Sequence, residues 1–152
     1  MDSISNIEVN EGVDFVIGED GLTKGRLLYN TNCATCHGPD GKGLENLAPP
    51  LLNSGFVSTD KEQLVAIMLY GMQGPLTLNG KEYAFLNAMP GIGANEELTD
   101  QNIQDIGNFI RNAFTTSPQD ITLKTVDSLR NIDRTYDKMF TQTELNEIFS
   151  SN

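Results

Sequence analysis

Apolar residues recur at helical spacing in several stretches of the 152-residue chain and at strand spacing in one. Leu27, Leu28 and Tyr29 mark the apolar face of a helix over about residues 22–35. Thr59-Asp60-Lys61-Glu62 reads as a capping box that opens a second helix, with Leu64, Ile67, Met68 and Leu69 on its apolar side and Gly71 as its stop. A third helix is predicted from Thr99, burying Ile103, Ile106, Ile110 and Phe114. Between the second and third, Asn79-Gly80 sits between two extended stretches, the strongest short-range signal for a type I′ hairpin. Leu47-Ala48-Pro49-Pro50-Leu51 is predicted to be extended, because each proline fixes its own φ and restrains the residue before it. Two short helical patterns follow, over about residues 123–131 and 142–149. Residues 1–20 alternate weakly (Ile7, Val9, Val13, Phe15, Ile17) and fit an extended arm or a linker.

A chain of this length suits one domain, which buries about 68–70% of the surface its unfolded form exposes. The net charge of −11 is unevenly placed. Residues 1–20 contribute −6, residues 21–115 contribute −3 and residues 116–152 contribute −2. The chain therefore divides into an acidic N-terminal arm (1–20), a mildly acidic core (21–115) and a C-terminal helical extension packed on that core (116–152). No basic patch is present to neutralise phosphates, so nucleic acid is not an expected partner. No apolar stretch is long enough to span a membrane.

The chemistry lies in Cys33-Ala34-Thr35-Cys36-His37. C-x-x-C-H is the attachment signature of a c-type haem, in which two thiols form thioethers with the vinyl groups and the histidine ligates the iron. Zinc sites and redox dithiols share parts of this pattern. The two cysteines are the only ones in the chain and His37 is the only histidine, so a zinc site would have to draw on carboxylates. A thioredoxin-like dithiol needs βαβ surroundings that the pattern does not predict. Haem attachment also implies an extracytoplasmic location. The opening residues are acidic and lack the basic and apolar regions of a signal peptide, so the chain is expected to be a mature or excised segment of a periplasmic or otherwise extracytoplasmic protein.

The run Gly25-x3-Tyr29-x3-Cys33-x2-Cys36-His37-Gly38, followed by Asp40-Gly41-Lys42-Gly43, resembles the class I cytochromes c over about residues 21–130. That resemblance implies an all-α cytochrome c fold around one covalent haem c, with the hairpin near the distal loop. It implies that Phe109 of the last core helix crosses Gly25 of the first, with Tyr29 and Ile106 in the contact. It also implies that a proline carbonyl before a leucine, matched by Pro50, accepts the hydrogen bond from His37 Nδ1. Such a bond would orient the ring and leave Nε2 for the iron. The Met-Pro setting of Met89 matches the family's distal iron ligand. Met68 reads as core filling, and Met72, in a Gly-rich turn, is the alternative ligand. Tyr83, Arg111 and the backbone around Gln73 and Gly74 are candidate partners of the haem propionates.

The segment from Tyr70 to Tyr83, with Met89-Pro90 and Leu98-Thr99-Asp100, is similar to haem domains that accompany periplasmic dehydrogenases or terminal reductases. It departs from them at Ala84-Phe85-Leu86-Asn87 and at Phe114. The resemblance implies a carrier of single electrons and not an enzyme. It would serve between a dehydrogenase or quinol-oxidising complex and a terminal oxidase or reductase. The competing expectation is a haem enzyme or ligand sensor, peroxidase-like or gas-binding, which requires Met89 to be absent from the iron or to leave it.

Overall fold

The computed structural model of the chain describes residues 17–58, 60–85 and 88–149. In chain order these form α1 (Ile17–Asn32), α2 (Ala34–His37), α3 (Gly55–Ser58), α4 (Lys61–Tyr70), β1 (Gly71–Met72), β2 (Leu76–Leu78), β3 (Lys81–Tyr83), β4 (Met89–Pro90), α5 (Asp100–Phe114), α6 (Leu123–Arg130) and α7 (Gln142–Phe149). Residues 1–16 of the expected arm, and Thr59, Leu86 and Asn87, lie outside the described residues.

Helices α1 and α5 cross where α1 has no side chain. A Cβ on Gly25 would run into the Asp105 carbonyl and the Phe109 Cβ, so glycine lets the two backbones approach. One turn on, the fully buried Tyr29 ring packs on Phe109 and Phe114, with centroids 5.5 and 5.3 Å apart. Ile103 and Ile106 are completely buried in the same cluster. Thr99 caps α5 reciprocally with Asn102, satisfying two otherwise free N–H groups.

The predicted first helix is displaced. It begins at Ile17 and not at Leu22, and it stops at Asn32 because Cys33 leaves helical geometry (φ −127°, ψ −33°). Cys33 N still donates to Tyr29 O at 2.8 Å, so helical bonding runs up to a break that the apolar pattern does not register. Ala34–His37 then form a separate single turn.

Helix α4 is the centre of the molecule. Its cap is Asp60, whose carboxylate accepts from the backbone N–H groups of Glu62 (2.8 Å) and Gln63 (3.4 Å). Its apolar pattern suggests one buried side, yet every residue from Gln63 to Tyr70 is buried. The second side is covered by the chain beyond α5. Tyr70 Oη donates to Leu129 O at 2.6 Å, and its ring stacks on Tyr136 and meets the edge of Phe140. Helix α5 holds the start of that covering chain. Asn108 exchanges two 3.0 Å hydrogen bonds with the Ile121 backbone, and Gln104 Nε2 donates to the Ile121 carbonyl.

Two small antiparallel sheets complete the fold. Strands β2 and β3 pair with Leu76 opposite Tyr83 and Leu78 opposite Lys81, and the connecting Asn79 and Gly80 both take positive φ (52° and 81°). Strands β1 and β4 pair with Gly71 opposite Pro90 and Met72 opposite Met89. Met72 is therefore in a strand and not in a turn. The two-residue length of each strand leaves no alternating pattern for the sequence to display.

Candidate functional site

The Cys33–His37 segment is positioned from both sides. Tyr29 Oη donates to Gly38 O at 2.6 Å, and Gly43 N donates to His37 O at 2.7 Å. His37 is buried, and its Nδ1 lies 2.9 Å from the Pro49 carbonyl. A carbonyl only accepts, so this contact places the proton on Nδ1 and leaves the Nε2 lone pair free. Nε2 has no hydrogen-bond partner among the described residues. Burial holds the ring below its ordinary value of 6.5, against the Pro49 bond, which favours the protonated form.

The expected anchor, Pro50, is thus corrected to Pro49. The two prolyl carbonyls are adjacent in one extended segment, and register decides between them. The bridge of Leu44 with Ala48, and the Gly41 carbonyl receiving Leu51 N at 2.7 Å and Leu52 N at 3.0 Å, fix the segment so that Pro49 faces His37. Cys33 is half-buried and Cys36 is exposed. Burial, and then the neighbouring Cys36, push the Cys33 thiol up to about 12, opposite to the depression a reactive redox dithiol uses.

Met89 reaches the same region from β4. The chain after it docks on the end of α4, where Ile92 N donates to Met68 O (2.8 Å) and Gly93 N to Leu69 O (2.9 Å), satisfying carbonyls the helix leaves free. Gly91 allows this approach, since a Cβ there would collide with the Leu69 carbonyl and the Tyr70–Gly71 peptide. Cys33, His37, Met68, Met72 and Met89 all line one cavity, whose remaining wall is almost wholly apolar and includes Leu64, Ile67 and Ile110. Met68 and Met72 therefore line the cavity together with Met89, and Met68 is at the same time buried in the hydrophobic core, as expected of interior filling.

Other expected site residues lie elsewhere. Arg111 is buried outside the cavity lining, where Nε donates to Pro118 O (2.9 Å) and Nη1 to Val57 O (2.8 Å), with Asp120 3.5 Å from Nη2. It ties the chain after α5 to α3 and is not placed as a propionate partner. Tyr83 stacks on Phe85 and lines a surface groove with Thr77 and Gln142. Gln73 N is occupied by Phe140 O at 2.8 Å. Phe140, Arg130 and Tyr136, which bear on the Met89 segment, were not among the expected site residues. They lie in a stretch whose sequence reads only as polar connection and short helix.

Residues 22–114 match the family described as Cytochrome c. The chain belongs to the cytochrome c family. Its cofactor is haem c, which this family carries covalently bound. It is 32% identical over 108 residues to the cytochrome c subunit of alcohol dehydrogenase (quinone) from Gluconobacter oxydans, covering 70% of this chain and 22% of that subunit. It is 31% identical over 96 residues to cytochrome c-552 from Thermus thermophilus, covering 59% of this chain and 67% of that protein. It is 30% identical over 114 residues to the CcoP subunit of a cbb3-type cytochrome c oxidase from Cereibacter sphaeroides, covering 72% of this chain and 35% of that subunit. The chain thus spans about a fifth of the length of the dehydrogenase subunit it matches.

The cavity suits this group. Its lining is almost wholly apolar, as a porphyrin requires, and includes His37, whose Nε2 has no hydrogen-bond partner among the described residues, and Met89 from a neighbouring segment. The cysteine pair adds one member lining the cavity and one exposed at the surface.

Proposed function

We propose that Cys33 and Cys36 form the thioethers to the haem, that His37 Nε2 and Met89 sulfur are the axial ligands, and that the chain passes single electrons between redox proteins outside the cytoplasm. The observation that carries this is one apolar cavity lined by Cys33, His37 and Met89, with the imidazole turned by Pro49 so that Nε2 is free. The haem, when bound, supplies an iron that changes oxidation state by one electron. The protein fixes the imidazole tautomer and excludes water with an apolar wall. Thioether ligation favours the reduced iron relative to a second histidine and so raises the potential.

Filling both axial positions leaves no place for dioxygen or peroxide, which supports a carrier over an enzyme or gas sensor. The donor we propose is a dehydrogenase or quinol-oxidising complex and the acceptor a terminal oxidase or reductase, in keeping with the names of the relatives. A periplasmic or otherwise extracytoplasmic location follows from haem attachment. No helix among the described residues is long and apolar enough to cross a membrane.

Absorption spectra of the holoprotein test the ligand set. The ferric wild type is expected to show the weak far-red sulfur-to-iron band, and Met89→Ala to lose it. Met72→Leu is the necessary companion, because Met72 faces Met89 across the β1–β4 pair. If Met72→Leu removes the band and Met89→Ala keeps it, the distal assignment moves to Met72. A high-spin wild type that binds carbon monoxide on reduction overturns the carrier reading in favour of a ligand-binding or catalytic haem.

A further inference from the structure

The family match ends at Phe114, so the chain from Thr115 onward is additional to it. That additional chain is nevertheless joined to the segments bearing Met72 and Met89. Phe140 N donates to Gly71 O (3.0 Å) and Gln73 N donates to Phe140 O (2.8 Å), which lays Phe140 parallel to Met72 on the strand that pairs with Met89. Arg130 Nη1 donates to the Gly93 carbonyl (2.9 Å) and to Tyr136 Oη (3.0 Å). Its Nη2 donates to the Leu98 carbonyl (3.3 Å), and its Nε pairs with Asp100. The Tyr136 ring occupies the space that a Cβ on Gly93 would need, and it stacks on Tyr70 with centroids 5.1 Å apart. One guanidinium thus holds both ends of the stretch from Gly93 to Asp100, just beyond the proposed distal ligand.

We infer that Arg130 and Tyr136 are positioning residues for the distal ligand, and that the C-terminal extension is a strap keeping the Met89 segment closed against α4. This rests on the Met89 assignment above. A thioether is a weakly donating ligand, so its retention on iron depends on how costly it is for its segment to swing away. The contacts beyond Met89 to the α4 carbonyls resist that movement, and Arg130 adds hydrogen bonds from a charged group whose side chain is only 20% exposed. A plain covering role for the extension is already filled by other residues: Val126 is completely buried and Leu129 nearly so. Covering strengthens the fold as a whole, whereas a strap raises the cost of one local opening.

The experiment is imidazole binding to the ferric full-length holoprotein, followed by loss of the far-red sulfur-to-iron band, with thermal unfolding measured alongside. Arg130→Ala is expected to bind imidazole about tenfold tighter or more, because charged hydrogen bonds to the Met89 side are lost. Tyr136→Phe should show a smaller shift in the same direction, and Arg130→Lys should recover part of the Arg130→Ala change. Val126→Ala should lower the unfolding temperature without altering imidazole affinity. Wild-type affinity in both Arg130→Ala and Tyr136→Phe overturns the strap, as does an equal shift in Val126→Ala. If Arg130→Ala does not assemble, Tyr136→Phe measured against Val126→Ala separates a strap from a plain cover through the loss of one hydroxyl. A wild type that lacks the band and binds imidazole as tightly as Met89→Ala overturns the ligand assignment and the strap together. A wild type with the band and unresponsive variants overturns the strap alone.

Discussion

On the proximal side of the cavity, the contacts that place His37 are close in sequence. Tyr29 Oη reaches Gly38 O nine residues away, and His37 Nδ1 reaches Pro49 O twelve residues away. On the distal side the corresponding contacts are long: Arg130 reaches Gly93 O across 37 residues, and the β1 strand opposite Met89 is bonded to Phe140. His37 and Met89, the two proposed ligands, line the same apolar space, but one is held by hydrogen bonds close in sequence and the other by contacts from distant segments. The proximal side should therefore tolerate loosening of the C-terminal extension, while the distal side should not.

The largest effect should come from Phe140→Ala. Phe140 is completely buried, packs on Tyr70 and Phe149, and carries the Arg134 guanidinium 3.6 Å from its ring centre. Truncating a buried phenylalanine costs about 3–5 kcal/mol. Denaturant unfolding of the holoprotein should show a loss of that size. Haem should remain covalently attached, seen as a coloured band on a denaturing gel, because among the described residues the hydrogen bonds and ring contacts of Phe140 go to Gly71, Gln73, Tyr70, Arg134 and Phe149 and not to the Cys33–His37 segment. A variant that loses covalent haem while remaining folded would break the division between the two sides.

Tyr29→Phe probes the local side with a smaller change. It removes the hydroxyl that bonds Gly38 O and keeps the ring on Phe109 and Phe114. Gly38 O retains Gly41 N at 3.1 Å, so the carbonyl is not orphaned and the loss should be about 1 kcal/mol. The far-red band and imidazole affinity should stay at wild-type values. A change in either would show that the proximal loop and the Met89 segment are coupled.

The same contrast explains what could be read from the chain. The cysteine pair, His37 and the Thr99 cap depend on short spacing and residue type, and these are visible in sequence, whereas the Gly25–Phe109 crossing joins distant residues and was legible only through the family resemblance. The choice between Pro49 and Pro50 was not, because adjacent prolines offer equivalent carbonyls and only the Leu44–Ala48 register separates them. Arg111 resembled a counter-charge for propionates because sequence shows a cation but not the Val57 and Pro118 carbonyls that engage it. The Met72–Met89 pairing and the Arg130 contacts left no local signal. Two-residue strands have no period, and a guanidinium bonded to distant carbonyls looks like any surface arginine.

The smallest effect sharpens the comparison from inside the extension. Thr141 N and Arg134 Nη2 each lie 3.1 Å from Glu144 Oε1, tying the start of α7 to the arginine that covers Phe140. The backbone bond from Thr141 comes first, and Arg134 next, in holding the Glu144 carboxyl below its ordinary 4.5. Because the folded-state value is the lower one, the folded chain gains from ionised Glu144 above 4.5 and loses that gain as pH falls through the folded-state value. The site is solvent-screened, so Glu144→Gln should cost about 1 kcal/mol or less at neutral pH. The gap to wild type in unfolding temperature should then narrow as the medium is acidified below 4.5. A gap that stays constant on acidification would mean that the side chain acts through shape and not charge. The Arg134–Phe140 contact would then stand without electrostatic help from α7.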